Sequence, residues 1–311
     1  MRKNIEQMIP EVWKVFRSNL VVFVPPVFVF VVYSIVTVSF IVMFFLSISL
    51  KISGLTGFFT DFRVEELKSL LTQVTAYSIV MLIIFGILML IISVIHAAGW
   101  GNMFACAAVN GTTNLGDYFD GITRFTVRIG AGTILKMCVQ VIPLLLAAVL
   151  IAAVMIAFPR QWITFSAAAI FLVPPLILLE LVLGLFLWMW RQACFIEDIG
   201  VVAAFSRSME FVKNNLIQVI LVFVMWIVCS VFISGVFMFL SLLFHTLSQS
   251  LMKDGMFLMP FFISLNINLL SWAVGTIVMV FFLFFFYVLY KERLEEEKQS
   301  VTVQSDHISL A

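Results

Sequence analysis

Long apolar runs that lack charged residues recur along this chain and constrain its fold more than any other feature. A helix needs about 20 residues to cross about 30 Å of hydrocarbon, and each run is long enough. Hydrophobic residues make up 63% of the 311 residues and charged residues 11%, whereas soluble domains run near one half and one quarter. The runs predict six membrane-spanning helices, at about residues 20–48, 74–98, 131–157, 162–189, 215–244 and 257–289.

A short amphipathic segment with a basic end leads into every second apolar run. The three segments are residues 11–20, 117–128 and 203–216. Such a segment favours a helix that lies in the headgroup plane. The sequence therefore predicts an all-α polytopic membrane protein, built as three hairpins that are each preceded by an amphipathic interfacial helix.

The three predicted units cover about residues 4–98, 113–189 and 198–289. Because all three are entered from the same side, they are parallel repeats and can stand around a pseudo-three-fold axis along the membrane normal. Residues 1–290 then form one transmembrane domain, and the charged and polar residues 291–311 form a cytoplasmic tail.

Lysine and arginine are distributed unevenly between the two predicted sides of the membrane. One side carries Arg2, Lys3, Lys14, Arg17, Arg124, Arg128, Arg191, Arg207, Lys213, Lys291, Arg293 and Lys298. The other side carries only Lys51, Arg63, Lys68, Arg160 and Lys253. Since positive charge marks the cytoplasmic side, we expect a cell-membrane protein with both termini in the cytoplasm and an uncleaved first span.

Polar residues inside the apolar runs are the first candidates for a functional site. Glu180 lies within the fourth run, where an ionised carboxylate costs at least about 2.5–3.5 kcal/mol. Lys136 lies at a similar distance from the basic face in the third run, with Gln140 one turn beyond it. Three interpretations stay open: a structural Lys136–Glu180 pair, a Lys136 that reaches to the interface, or a pathway for an ion or proton. Asn266 and Asn268 in the sixth run indicate either interhelical hydrogen bonds or a substrate lining.

The third amphipathic segment carries a second set of charged residues. Glu197 and Asp198 predict the start of a helix, because free N–H groups and the helix dipole favour negative charge there. Arg207 and Lys213 lie off the apolar face of that helix, where they can contact anionic lipid headgroups at the cytoplasmic side. The apolar face is predicted from residues at spacings of three and four: Val201, Val202, Phe205, Met209 and Val212.

Several classes of function find no support in the sequence. The four cysteines show neither a CxxC motif nor a Cys/His spacing, so no metal site or structural disulfide is expected. There is no phosphate-binding glycine loop after a strand and no HExxH or Ser/His/Asp pattern, which predicts no cofactor and disfavours an enzyme. A net charge of +1 gives no case for nucleic acid as a partner.

The motifs also carry a resemblance. Residues 195–215, from Phe195-Ile196-Glu197-Asp198 to Asn214-Asn215, resemble a motif of prokaryotic six-span membrane proteins of unknown function. Residues 98–119 and 12–19 are similar to the entry segments of the second and first units of that family. The family includes the membrane domain that precedes some glycerophosphodiester phosphodiesterases. The catalytic domain of those enzymes has no counterpart here, so their activity is not carried over.

Three functions are compatible with these features. The favoured one is a non-enzymatic scaffold or a protein of envelope and lipid homeostasis, with the bilayer and a protein partner or a second copy as its partners. The alternatives are a transporter or channel for a small solute, ion or lipid that uses Glu180 and Lys136, and an intramembrane enzyme that acts on lipid headgroups. A cavity lined by Glu180, Gln140 and Asn266 would favour transport, whereas a Glu180 bonded only to Lys136 would favour the scaffold.

Overall fold

The computed structural model of the chain describes residues 4–53, 64–157, 162–253 and 258–309. All regular structure in these residues is helical, and no strand occurs among them. The helices are α1 (Ile5–Ser18), a 3₁₀ turn (Leu20–Phe23), α2 (Val24–Ser53), α3 (Val64–Asn110), α4 (Leu115–Ala157), α5 (Trp162–Phe186), α6 (Trp190–Ile196), α7 (Val201–Asn214), α8 (Leu216–Lys253) and α9 (Leu258–Ser309).

Six helical segments among the described residues are long and apolar enough to cross a membrane. They are Leu20–Leu46, Ala76–Asn110, Leu115–Val149, Pro174–Ile196, Leu216–Thr246 and Phe262–Ser300. The predicted number of spanning helices is thus confirmed. Of the basic residues predicted for the outer side, Arg63 and Arg160 lie outside the described residues. Helix α9 runs without a break across residue 290, where the sequence placed the boundary between membrane domain and tail.

The second amphipathic segment does not form the separate interfacial helix that the sequence predicted. Helix α4 is continuous from Leu115 to Ala157, so residues 117–128 are simply its first turns. The first and third segments do end as separate helices, at Asn19 and Asn215. At each of these ends the asparagine Nδ2 donates to the carbonyl four residues earlier, at 2.7 Å and 3.0 Å. Such a side chain competes with the backbone ladder, and no asparagine follows Arg128 to do the same in α4.

The buried core lies at one end of the bundle, which we call the packed end. Its buried residues lie within the ranges 8–22, 98–129, 187–222 and 280–294. Its largest fully buried side chains include Trp190, Tyr290 and Phe104. At the opposite end apolar side chains face outward: Ile35 of α2, for example, is 61% exposed. Lipid tails solvate such surfaces as well as other apolar side chains do, so exposure there is expected in a membrane.

Two glycines allow the short helix α6 to sit directly against α3 and α4. A Cβ atom at Gly132 would lie 2.3 Å from Cζ3 of Trp190, and one at Gly101 would lie 2.2 Å from Cε2 of Phe195. Both aromatic rings therefore rest on bare backbone. Any larger residue at either glycine would collide with a buried ring.

Helix α1 is attached to two distant parts of the chain. The side-chain amide of Asn19 donates to the carbonyl of Gly111 at 3.0 Å and its Oδ1 accepts from the backbone N–H of Thr113 at 2.7 Å. The ring of Phe16 contacts those of Phe281 and Phe284 in α9, with centroids 5.8 Å and 6.2 Å apart. These contacts fix α1 between the α3–α4 turn and α9.

Candidate functional site

A cavity of about 350 Å³ lies beside the core of the packed end, between α3, α4, α6, α8 and α9. We call it the aromatic cavity, because four tryptophans line it together with phenylalanines and a tyrosine. These tryptophans are Trp100, Trp188, Trp190 and Trp226. Trp188 contacts Trp226 and Phe286, at centroid distances of 5.3 Å and 5.7 Å, and so joins one wall to the other.

Two cationic side chains, Lys136 of α4 and Arg191 of α6, line the aromatic cavity, and its described lining contains no acidic residue. Neither cation forms an ion pair within the part of the chain that the structure describes. The guanidinium of Arg191 lies 5.6 Å from the centroid of the Trp190 ring, a cation–π distance. A cation without a counter-charge in an apolar surrounding is costly, so the cavity is electrostatically suited to an anion.

Two further polar residues, His96 and Gln192, line the cavity, and neither carries a negative charge that could neutralise the two cations. His96 stacks on Trp100 with centroids 5.0 Å apart, and its Nδ1 lies 3.3 Å from the hydroxyl of Tyr118. Gln192 is buried, and in the orientation that satisfies its amide it donates to the carbonyls of Met189 and Trp188 at 3.2 Å and 3.3 Å. Gln192 thereby holds the turn between α5 and α6 that places Arg191 in the cavity.

Glu180 and Gln140 lie elsewhere, in a groove of about 480 Å³ between α4 and α5. The other residues of this groove are apolar: Leu144, Ala147, Ala148, Leu176, Ile177 and Leu181. The Oε1 atom of Glu180 is buried and has no hydrogen-bond partner in the described structure. Gln140 and Glu180, two of the candidate site residues, thus line the same groove.

The Lys136–Glu180 ion pair, one of the expected arrangements, does not form among the described residues. The register of the two helices explains this, because Nε2 of Gln140 lies 4.0 Å from where a Cβ atom of Gly184 would be. Lys136 lies four residues from Gln140 toward the packed end, and Glu180 lies four residues from Gly184 in the opposite direction. At about 1.5 Å per residue, Lys136 and Glu180 therefore stand about 12 Å apart along the bundle. A turn at residues 187–189 interrupts the helix between Glu180 and Arg191, so Glu180 does not lie at the depth that an unbroken fourth run implies.

Asn266 and Asn268 do not converge on either cavity. Both are exposed on α9, where Nδ2 of Asn266 donates to the carbonyl of Phe262 at 2.7 Å and Nδ2 of Asn268 contacts Oγ of Ser264 at 3.5 Å. They satisfy their amides within their own helix. A cavity shared by Glu180, Gln140 and Asn266 is therefore absent from the described residues.

The turn between α6 and α7 holds a cluster of ion pairs. Asp198 accepts hydrogen bonds from Nη1 of Arg128 at 2.7 Å and from Nη2 of Arg124 at 2.5 Å. Both arginines belong to α4. The hydrogen bond from Arg128, followed by that from Arg124, holds the pKa of Asp198 below its usual range. The expected helix start at Glu197 and Asp198 was wrong: α7 begins at Val201 after Gly200, because the two carboxylates bind other partners instead.

Arg207 of α7 connects this turn to α9. Its guanidinium contacts Glu197 at 3.3 Å, Glu210 at 3.0 Å and Glu297 at 2.5 Å, and the hydrogen bond to Glu297 is the main reason why its pKa is raised. The hydroxyl of Tyr290 donates to the same Glu197. Lys213, by contrast, is exposed in the last turn of α7.

The apolar face of α7 differs in part from the predicted one. Phe205 and Val212 are buried as expected, but Val202 is 76% exposed and Met209 44% exposed. The buried face also takes in Ala204, Ser208 and Phe211.

A family model described as a domain of unknown function, DUF7847, matches residues 96–293, which is more than half of the chain. The chain belongs to the DUF7847 family. The DUF7847 segment contains Lys136, Arg191 and Arg207, and no curated protein and no solved structure matches the chain. The resemblance to the membrane domain ahead of some phosphodiesterases stays a prediction.

Arg191 is the residue of this DUF7847 domain that sequence reasoning missed as a site residue. It was counted only as one of the basic residues of the predicted inner side. The signal that could have revealed it is the order Trp188-Met189-Trp190-Arg191, because an arginine next to tryptophans at the end of an apolar run is often packed against their rings.

Proposed function

We propose that this DUF7847 protein is a non-enzymatic protein of the cell membrane that holds an anionic ligand in the aromatic cavity. In this proposal both termini are cytoplasmic, as the lysine and arginine distribution favours, and the packed end lies at the cytoplasmic side. A role in envelope or lipid homeostasis follows from a ligand-binding cavity in a protein made almost entirely of membrane helices.

One observation carries the proposal: Lys136 and Arg191 line the same cavity, and no described lining residue is acidic. Lys136 is half-buried, and partial burial of a cation is costly unless a counter-charge is present. An anion bound between the two cations would offset that cost. The fork of guanidinium N–H groups suits the oxygens of phosphate and carboxylate groups, and the ammonium adds a second donor.

The transport alternative, in which Glu180 and Lys136 share a pathway, has less support. The two residues line separate cavities, and Asn266 lines neither. The partnerless Oε1 of Glu180 favours a polar guest in the groove between α4 and α5, but a single buried acceptor among apolar residues gives no continuous path.

The pseudo-three-fold repeat belongs to the same proposal. It is supported by the matched ends of α1 and α7, where Asn19 and Asn215 adopt φ,ψ of −124°, 41° and −128°, 27°. The continuity of α4 means that the second unit lacks this break. Labelling single cysteines at Lys14, Lys213 and Lys291 only from the cytoplasmic side would support the shared orientation, and labelling of any of them from outside would contradict it.

Tryptophan fluorescence offers a direct test of anion binding, since four of the seven tryptophans line the cavity. The purified protein in uncharged detergent would be titrated with phosphatidate and with inorganic phosphate. We expect a saturable change with at least one of them, and at least a tenfold loss of affinity in Lys136→Gln and in Arg191→Gln, since a bond to a charged group contributes about 1.5–3 kcal/mol.

Lys213→Gln is the matched control, because it removes an exposed cation that does not line the cavity. Its titration should equal that of the unmodified protein. The proposal fails if no anionic probe binds, or if the lysine and arginine variants bind as well as this control.

A further inference from the structure

The residues that line the aromatic cavity are more buried toward the packed end than away from it. Along α3 its lining changes from the exposed Ser93 to the buried Phe104, and along α9 from the half-buried Met279 to the buried Tyr287. Both helices run into the packed end in these directions. The mouth of the cavity therefore points away from the packed end, toward the part of the bundle whose apolar side chains face outward.

The position of this mouth decides how a ligand can arrive. At the packed end the cavity is lined by Phe104, Trp190 and Tyr287, which are at most 3% exposed, so a free anion that arrives from water there meets buried rings. A membrane lipid reaches the mouth from the side, because the helices there are surrounded by hydrocarbon in a bilayer. The approach path thus favours an amphiphile over a soluble ion.

The lining has two parts that match the two parts of a lipid. Arg191 lies at the packed end between its buried neighbours Trp190 and Gln192, and it lines the cavity. Lys136 is the second cation. Apart from Ser93 and His96, the remaining wall toward the mouth is apolar and includes Trp226, Met279 and Leu283.

Volume sets how much of a lipid can enter. About 350 Å³ accommodates a headgroup and the first carbons of a chain, since ligand pockets for whole drug-sized molecules run from about 300 to 1,000 Å³. The remaining carbons of a long chain would stay in the bilayer outside the mouth. This arrangement leaves the apolar chain in hydrocarbon and takes only the charge inside.

We infer that the ligand of the aromatic cavity is a phosphate-bearing membrane lipid, whose headgroup binds between Lys136 and Arg191 and whose chain leaves through the mouth near Ser93 and Met279. This inference rests on the proposed function and adds the class of ligand and its route. Phosphate fits better than an uncharged headgroup because both cations donate hydrogen bonds and neither has a counter-charge in the described structure.

The test uses three probes that separate charge from chain. Phosphatidate and diacylglycerol with brominated chains differ only in the phosphate, and bromine quenches nearby tryptophans. Glycerol 3-phosphate has the phosphate without the chains. The full chain in uncharged detergent would be titrated with each lipid, and glycerol 3-phosphate would be added as a competitor.

We expect phosphatidate to quench at least tenfold more tightly than diacylglycerol, and glycerol 3-phosphate to compete at least a hundredfold more weakly than phosphatidate. The double variant Lys136→Gln, Arg191→Gln should lose the preference for phosphatidate and keep its response to diacylglycerol. Arg191→Lys retains the charge and should keep most of the preference, which separates loss of charge from misfolding. Trp226→Phe, at the mouth, should reduce the quenching amplitude, whereas Trp13→Phe on α1 should not.

Equal affinities for the two lipids would overturn the inference. If glycerol 3-phosphate competed as strongly as phosphatidate, a lipid as the ligand would be excluded while anion binding stood. If no anionic probe depended on Lys136 or Arg191, the inference and the proposed function would both fall.

Discussion

Nη2 of Arg207 lies 2.5 Å from Oε2 of Glu297, a residue 90 positions further along the chain. This ion pair joins α7 to the part of α9 that extends beyond the apolar run. Only 22% of the Arg207 side chain is exposed, so solvent screens the pair less than it would a surface pair.

Replacing this arginine should loosen the extension of α9. Arg207→Gln removes contacts to three carboxylates, and we expect a loss of about 1–2 kcal/mol in the free energy of unfolding. Hydrogen exchange in residues 291–300 should accelerate at the same time. Lys213→Gln in the same helix is the control. Equal exchange rates in the two variants would show that the Arg207–Glu297 ion pair does not stabilise the extension of α9.

Acid should weaken the contact between Asp198 and its two arginines. The pKa of Asp198 is lowered in the folded protein, so its contribution is complete above the ordinary carboxyl pKa of about 4 and is lost as the pH falls through the lower folded-state value. The side chain is 45% exposed, so the contribution is less than about 1 kcal/mol.

Thermal unfolding midpoints between pH 3 and pH 7 would check this dependence. Asp198→Asn tolerates the left-handed backbone at this position, where φ is 53°, and should melt below the unmodified protein at pH 7. The two curves should approach each other below pH 4. A difference that grew on acidification would have the wrong sign for this contact.

The contact between the Trp190 ring and Gly132 predicts that one added methyl group at residue 132 lowers the stability of the protein. Gly132→Ala places a Cβ atom 2.3 Å from the ring, so the ring or the helix must move, at a cost of about 1–3 kcal/mol. Gly130→Ala, half a turn away, meets Cγ1 of Val94 at 3.4 Å and should be neutral or slightly stabilising. Thermal unfolding in detergent would compare Gly132→Ala with Gly130→Ala. Equal stability of the two variants would contradict close packing of α6 against α4.

Lys136 and Glu180 should behave as independent residues. They line different cavities, so the effects of Lys136→Leu and Glu180→Leu on unfolding free energy should add within about 0.5 kcal/mol. Arg207→Gln with Glu297→Gln is the positive control, for which a coupling of at least about 0.5 kcal/mol is expected. A comparable coupling between Lys136 and Glu180 would restore the ion pair that the helix register excludes.

The two matched asparagines should differ in their contribution to stability. Asn19→Ala leaves the Gly111 carbonyl and the Thr113 N–H without their partner and should cost about 2–4 kcal/mol. Asn215→Ala loses one local bond to Phe211 and should cost about 1 kcal/mol. Denaturation in parallel would compare them, and an equal cost would mean that Asn19 acts only as a local cap.

The features that the sequence predicted well are local ones. Six apolar runs became six candidate spanning helices, because the length and hydropathy of a run are properties of a single segment.

The features that it did not predict depend on tertiary contacts. The interruption at residues 187–189 has neither proline nor glycine to mark it, yet it precedes Arg191, which lines the aromatic cavity. The partners of Asp198 and Glu197 come from α4, α7 and α9, which no spacing within residues 195–215 could reveal.

The attachment of α1 has a consequence for biosynthesis. Its partners are the α3–α4 turn, bound by Asn19, and the phenylalanines of α9, packed on Phe16. Helix α1 leaves the ribosome before α9 does, so Phe16 can reach Phe281 and Phe284 only after α9 has been synthesised. The final packing of α1 is therefore tied to the synthesis of α9.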